Sequence, residues 1–174
     1  MLLSPTKTTL KIFVLVSGVG QSHITTVGQP TMSMVQWSDY YSVEIQEIDE
    51  QHKFIIMYIN ELYEALSRKD SHDLVADVIH KLVEYTKIHF AVEETLMRIF
   101  HYEGYEQHKA IHDKLVQQAL SYQGRFLAGD ARVGMELLMF LKEWLFSHIN
   151  KVDKQYIDTF HAAGVKKKWL KKFW

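Results

Sequence analysis

The chain of 174 residues contains no cysteine. That excludes a disulfide framework, a thiolate nucleophile, an iron-sulfur cluster and a thiolate zinc site, and leaves the redox compartment unmarked. Any metal chemistry must rest on His, Asp and Glu. Proline is scarce, with two residues, Pro5 and Pro30, so nothing beyond residue 30 carries the ring that breaks a helix interior. Long apolar runs are missing as well, and no membrane-spanning helix is expected. Charge of one sign is not in excess: 20 Lys and Arg stand against 21 Asp and Glu, a formal net charge of -1. This balance offers no broad positive field for a polyanion, so no nucleic-acid partner is expected, and membrane contact only locally. What the chain has in plenty is histidine, ten residues, the side chain most often found on metals.

Residues 1–33 differ from the rest, being rich in Ser, Thr and Gly and holding both prolines. They read as an irregular N-terminal arm outside the domain. The run from Leu10 to Val19 behind Lys7 and Lys11 faintly resembles a signal peptide, but no Ala-x-Ala site follows it. A translated upstream stretch, with the domain opening near Met32 or Met34, fits better, and the expected location is the cytoplasm. From Ile48 the apolar spacing is helical and the punctuation divides it into four. The first helix runs roughly 48–67, with Ile55, Ile56, Ile59, Leu62, Tyr63 and Leu66 on one stripe. The second runs from about 71, capped by Asp70 or Ser71, to about 100. The third runs about 105–127, with His108, Ile111, His112, Leu115 and Ala119 on one face. Gly129-Asp130 then stops that helix and caps a fourth, from 131 to the high 150s, with Leu138, Leu141, Leu145, His148 and Val152 inward. Short connections predict an all-α, antiparallel up-down-up-down four-helix bundle spanning residues 34–163.

Residues four apart share a helix face, so His89 with Glu93 and His108 with His112 can each present two donors to one point. Single pairs carry little weight, since His80 with Glu84 has the same spacing. Depth carries more. The turns near residues 69 and 129 lie at one end of such a bundle, and His52, His89, His108, His112 and His148 stand 17 to 21 residues from them, at ~25 to 32 Å for a rise of ~1.5 Å per residue. Five histidines from four helices therefore meet in one layer. His80 faces away from His89, His101 lies ~120° off the ligand face, His72 is at the wrong end, His161 lies beyond the layer and His23 is in the arm.

A lone buried histidine is usually hydrogen-bonded core, but five in one apolar layer would lack partners, and a metal removes that cost. Glu93 and Asp153 add carboxylates that a cation would neutralise. Asp153 is the weak member by geometry: it sits ~140° around an ideal helix from His148, so the helix must distort or the side chain must reach. Five nitrogens and two carboxylates exceed one tetrahedral zinc and suit two bridged ions, while imidazole alone leaves iron, copper, nickel and zinc open.

Ile48-Asp49-Glu50-Gln51-His52-Lys53, His89-Phe90 with Glu93-Glu94 and Leu96-Met97, His108 with His112, and Trp144-Leu145 with His148-Ile149 and Asp153 together resemble the bacterial hemerythrins, from about Trp37 to Phe160. The resemblance implies a non-haem di-iron centre that binds dioxygen reversibly without being an enzyme. It implies one iron on His108, His112 and His148 and a second on His52 and His89, bridged by Glu93, Asp153 and an oxo or hydroxo group. The two-histidine iron would keep the open position. Leu145, about a turn before His148, would stand over it, although an ordinary core leucine has the same facing. Ferritin-like oxidases are expected to carry paired Glu-x-x-His motifs, which the ligand positions lack. The closer alternative is a hemerythrin-like enzyme reducing nitric oxide or peroxide, and a third is a sensor or delivery module docking on an unidentified protein partner. The basic aromatic tail of residues 164–174, with five lysines among Trp169, Leu170, Phe173 and Trp174, reads as a solvated face folded back on the bundle or as a contact with anionic lipid or a partner.

Overall fold

The computed structural model describes residues 33–130 and 132–165. The arm before residue 33 and the basic tail from residue 166 lie outside the described residues. Four long helices form the domain: α1 (Gln46–Ser67), α2 (His72–Ile99), α3 (Tyr105–Leu127) and α4 (Val133–Lys151), followed by a 3-10 turn (Asp153–Tyr156) and a short α5 (Ile157–Ala162). α1 packs on α2, α2 on α3, α3 on α4, and α4 returns to α1. Among the described residues there is no strand, and no helix is long and apolar enough to cross a membrane.

The stretch before α1 belongs to the domain. Val35 is fastened to α1 at two points, its N–H donating to Asn60 Oδ1 and its carbonyl accepting from Asn60 Nδ2, both at 2.9 Å. The Asp49 carboxylate accepts from Ser42 Oγ at 2.6 Å and from the Val43 N–H at 2.8 Å, which fixes how the chain enters the first turn.

The three turns joining the long helices follow one rule. Lys69, His101 and Gly129 take φ of +55°, +54° and +93°. Behind them the N–H of Asp70, Tyr102 and Asp130 reaches back to the carbonyl of Ala65, Met97 and Arg125 at 3.0, 2.9 and 3.2 Å. This left-handed exit satisfies carbonyls that a helix end leaves open and reverses the chain within a few residues. Ser71 Oγ accepts from the Leu74 N–H at 3.4 Å and caps α2. Beside the last turn α4 starts against α1 so closely that a Cβ on Gly134 would meet Leu66 Cδ2 at 2.8 Å.

The buried stripe of α1 is Ile48, His52, Ile55, Ile56, Ile59, Leu62 and Ala65, a spacing of three and four that turns one face to the core. Two expectations need correction. Ile111 is 38% exposed: it precedes His112 by one residue, ~100° of rotation, and falls off the inward stripe. The fourth helix does not run unbroken to the high 150s. It ends at Lys151, Val152 takes φ -111° and ψ -56°, and the chain tightens into a 3-10 turn from Asp153.

Candidate metal centre

The interruption after Lys151 is what brings Asp153 inward. On a continuous α-helix its side chain would point well away from His148; the break at Val152 and the tighter winding of the 3-10 turn change that direction. The Asp153 carboxylate lies between two groups of histidines. Its Oδ1 is 2.9 Å from His148 Nε2 and 3.3 Å from His108 Nε2, and its Oδ2 is 3.5 Å from His52 Nε2.

The other donors come from regular helix. His89 and Glu93 lie one turn apart on α2, His108 and His112 one turn apart on α3, with His52 on α1 and His148 on α4; all seven side chains are buried. His112 Nε2 stands 3.0 Å from His108 Nε2 and 3.0 Å from His148 Nε2. Glu93 Oε2 approaches His112 Nε2 at 3.4 Å and His89 Nε2 at 3.6 Å. Donor atoms of Glu93, His108, His112, His148 and Asp153 all fall within 4.8 Å of one another, as do those of His52, His89 and Glu93. Glu93 thus belongs to both groups, and Asp153 faces both with different oxygens.

Hydrogen bonds on the outer side of the rings fix what two histidines offer inward. The Glu94 carboxylate accepts from His112 Nδ1 at 3.1 Å, and the Gln51 amide oxygen accepts from His89 Nδ1 at 3.0 Å. A neutral imidazole carries one ring proton, so Nε2 of each presents a lone pair to the interior. His112 Nε2 therefore cannot donate to the two neighbouring nitrogens beside it. Nor are the remaining groups paired: both ring nitrogens of His52, His108 Nδ1, Glu93 Oε2 and both Asp153 oxygens are buried without a hydrogen-bond partner. The short histidine–Asp153 separations are approaches of charge rather than aligned hydrogen bonds. Each such orphan costs about 1 to 3 kcal/mol, more for a charged group.

Cations remove that cost, and the spacings fit them. With metal–nitrogen bonds of ~2.1 Å, neighbouring ligands of an octahedral ion stand ~3.0 Å apart and those of a tetrahedral ion ~3.4 Å. The two His112 separations match the first. Seven donors in two groups that share carboxylates are too many for one tetrahedral zinc and suit two ions.

Burial, with neighbouring His148 and His108, holds His112 down to about 3; burial, with His52 nearby, holds His89 down to about 3 against the pull of Glu93. Both are therefore neutral, the ligating form, at ordinary pH. His148 responds differently: burial lowers it, but the Asp153 carboxylate outweighs burial and the group is raised. Asp153 itself is buried, which would raise it, yet His148, His108 and His52 hold it well below the usual carboxylate range.

All seven donors expected from the sequence come together. Leu145 is buried on α4 one turn before His148. The decoys stay out: His80 is exposed beside Gln123, His72 stacks on Phe126, His101 forms the left-handed exit of α2 and His161 lies 3.9 Å from Glu44. His23 lies outside the described residues.

Sequence reasoning missed the supporting groups. Tyr156 is fully buried and its hydroxyl donates to Glu93 Oε1 at 2.5 Å. Burial and then the Glu93 charge push the phenol well above its ordinary value. Phe90 stacks face to face on His112 at 3.7 Å and meets Trp144 edge-on at 5.5 Å. Gln51 and Glu94 did carry a signal, since each adjoins a donor in sequence, ~100° around its helix, where it can face a neighbouring helix.

Residues 43–160 match the family model described as the hemerythrin HHE cation binding domain. The chain is 43% identical over 128 residues to a bacteriohemerythrin of Pseudomonas aeruginosa, covering 74% of this chain and 82% of that protein. It is 30% identical over 129 residues to one of Clostridium acetobutylicum, covering 72% of this chain and 100% of that protein. Among solved structures a wild-type hemerythrin superposes with a TM-score of 0.68 at 32% identity, covering 72% of this chain and 97% of that chain.

Proposed function

The chain belongs to the hemerythrin family, and from that premise we propose that it binds dioxygen reversibly, in the cytoplasm, at two iron ions held within residues 34–163. The observation that carries the reading is the layer of seven buried donors gathered into two groups, in which both ring nitrogens of His52, Glu93 Oε2 and both Asp153 oxygens have no hydrogen-bond partner. His108, His112 and His148 would hold one ion and His52 and His89 the other, with Glu93 and Asp153 within reach of both. When bound, two ferrous ions supply the two electrons that dioxygen accepts on binding and returns on release.

The chain's own residues make the binding reversible by what they exclude. Ile48, Ile55, Phe90, Trp144, Leu145 and Ile149 are buried apolar side chains on the helices that carry the donors, and a dry wall keeps out the water and protons that would divert bound dioxygen. Leu145 is the residue assigned to the open position, on its burial and its place one turn before His148. Tyr156 orients Glu93 through its hydroxyl, and a phenol held well above its ordinary range gives up that proton reluctantly. The likeness to proteins named bacteriohemerythrin favours a binding site over an enzyme that reduces nitric oxide or peroxide.

The test is reduction of the iron-loaded protein followed by cycles of air and vacuum. A visible band that rises in air and falls under vacuum over repeated cycles supports the proposal. Steady consumption of dioxygen, nitric oxide or peroxide with an electron donor would make the protein an enzyme, and a preparation saturated with one zinc and unable to take up iron would overturn the reading.

A further inference from the structure

Two histidines of the donor layer carry a partner on the outer ring nitrogen, and the two partners differ in charge. On α2 the Glu94 carboxylate accepts from His112 at 3.1 Å; on α1 the Gln51 amide oxygen accepts from His89 at 3.0 Å. His112 belongs to the group with His108 and His148, and His89 to the group with His52. Each group thus has one oriented ring, one backed by a full negative charge and one by a neutral dipole. An outer partner raises the basicity of a ligating imidazole, and a hydrogen bond to an ionised acceptor is roughly twice as strong as one to a neutral acceptor.

The surroundings of Glu94 leave its charge directed at His112. It lines a cleft of about 140 Å³ with Lys87, Phe90, Ala91, His112, Asp113 and Val116, and its side chain is 16% exposed. The nearby cations are held mainly by other carboxylates, Lys109 by Asp113 at 2.6 Å and Lys87 by Glu84 at 2.9 Å, although Lys109 also feels the Glu94 charge.

We propose that Glu94 and Gln51 are positioning residues that make the two iron sites electronically unequal, the charged partner stabilising ferric iron at the three-histidine site and the neutral partner favouring ferrous iron at the two-histidine site. This rests on the di-iron reading above and adds a direction to it. The three-histidine site gives up its electron first and holds its ion more tightly. The two-histidine site stays reduced more readily, as suits the position assigned to dioxygen.

The experiment is a redox titration of the iron-loaded full chain, with dithionite as reductant and ferricyanide as oxidant, read by the visible spectrum, alongside iron loss to a ferrous chelator. Glu94→Gln keeps a hydrogen-bond acceptor and removes the charge. It should retain both irons while the ferric-to-ferrous ratio of the first-oxidised ion, at fixed potential, falls tenfold or more, ~59 mV per tenfold for a one-electron couple. Gln51→Glu should move the other ion's ratio the opposite way by a similar factor. Glu94→Ala removes charge and acceptor together and should also weaken iron binding by about 10- to 100-fold. A folded Glu94→Gln protein with two irons and both ratios within twofold of wild type overturns the inference. Should that variant fail to fold, an unmoved ratio in Gln51→Glu overturns it instead. A wild-type chain that takes up no iron overturns the di-iron reading as well, whereas two irons with potentials indifferent to both substitutions defeat this inference alone.

Discussion

The two ends of this bundle are built from the same four helices and do opposite things. Near the α1–α2 and α3–α4 turns the interior is Leu62, Ala65, Val75, Ile79, Phe126, Val133, Leu137 and Leu138, all buried and apolar. Some three turns further along, the same faces carry His52, His89, Glu93, His108, His112, His148 and Asp153, equally buried. Thr86 is also buried, between the two ends, and its hydroxyl is satisfied by the Leu82 carbonyl at 2.9 Å. The apolar end gains from burial without further partners, at about 25 cal/mol per Å². The polar end is costly until cations enter. Stability and metal chemistry are thus divided along the axis, and each end can be tested for how far it depends on the other.

The largest expected effect is at the carboxylate that both donor groups share. Glu93→Ala should abolish binding of both irons, measured by elemental analysis, while circular dichroism still shows a helical bundle, because the apolar end is untouched. Retention of two irons would break the assignment of Glu93 to both sites. A one-sided lesion comes next. His52→Ala should eliminate the reversible visible response to air while part of the iron remains, and His80→Ala, an exposed histidine of α2, should change neither.

The reverse lesion sharpens the comparison from the apolar end. Leu138→Ala should cost ~2 to 5 kcal/mol of unfolding free energy, read by denaturant titration, and leave the iron content of the folded fraction unchanged. Acidification of the metal-free protein should act more gently. His89 and His112 are held down to about 3 chiefly by burial, so between about pH 6.5 and 3 the unfolded chain binds more protons, and stability is lost as pH falls through that window. The slope is about 1.4 kcal/mol per pH unit for each histidine. His148, raised because Asp153 outweighs its burial, acts the other way only above about pH 6.5, since below that it is protonated in the folded and unfolded chain alike. Thermal melts of chelator-treated protein at pH 7.5 and 5.0 should therefore show the lower Tm at pH 5.0. The smallest effect belongs to removal of residues 1–30, which should leave iron content and dioxygen binding unchanged, since every donor lies at or after His52.

How much was legible depended on whether a residue obeyed helical arithmetic. His52, His89, His108, His112 and His148 could be placed in one layer because each lies on an unbroken helix counted from a well-marked turn. The same arithmetic dismissed His80 and His101 correctly. It failed at Ile111, which shares the spacing of its inward neighbours but falls at the margin of the stripe, where the width of the helix contact decides burial. It failed again at Asp153, whose direction depends on Val152 leaving helical geometry; the resemblance to hemerythrins supplied that residue where periodicity could not.

The sequence by itself determined the four helices, their antiparallel order and the depth at which five histidines meet, because apolar spacing, caps and turn residues act within a few residues of one another along the chain. Tertiary structure alone decided which outer partner each histidine received, that Tyr156 holds Glu93, and that Asp153 faces both donor groups. Those contacts join residues 18 to 63 positions apart in the chain or depend on a break in α4. Their physical origin is the close approach of helices in a packed core, where a rotation of a few tens of degrees decides whether a polar group meets a partner, and no local signal encodes that rotation.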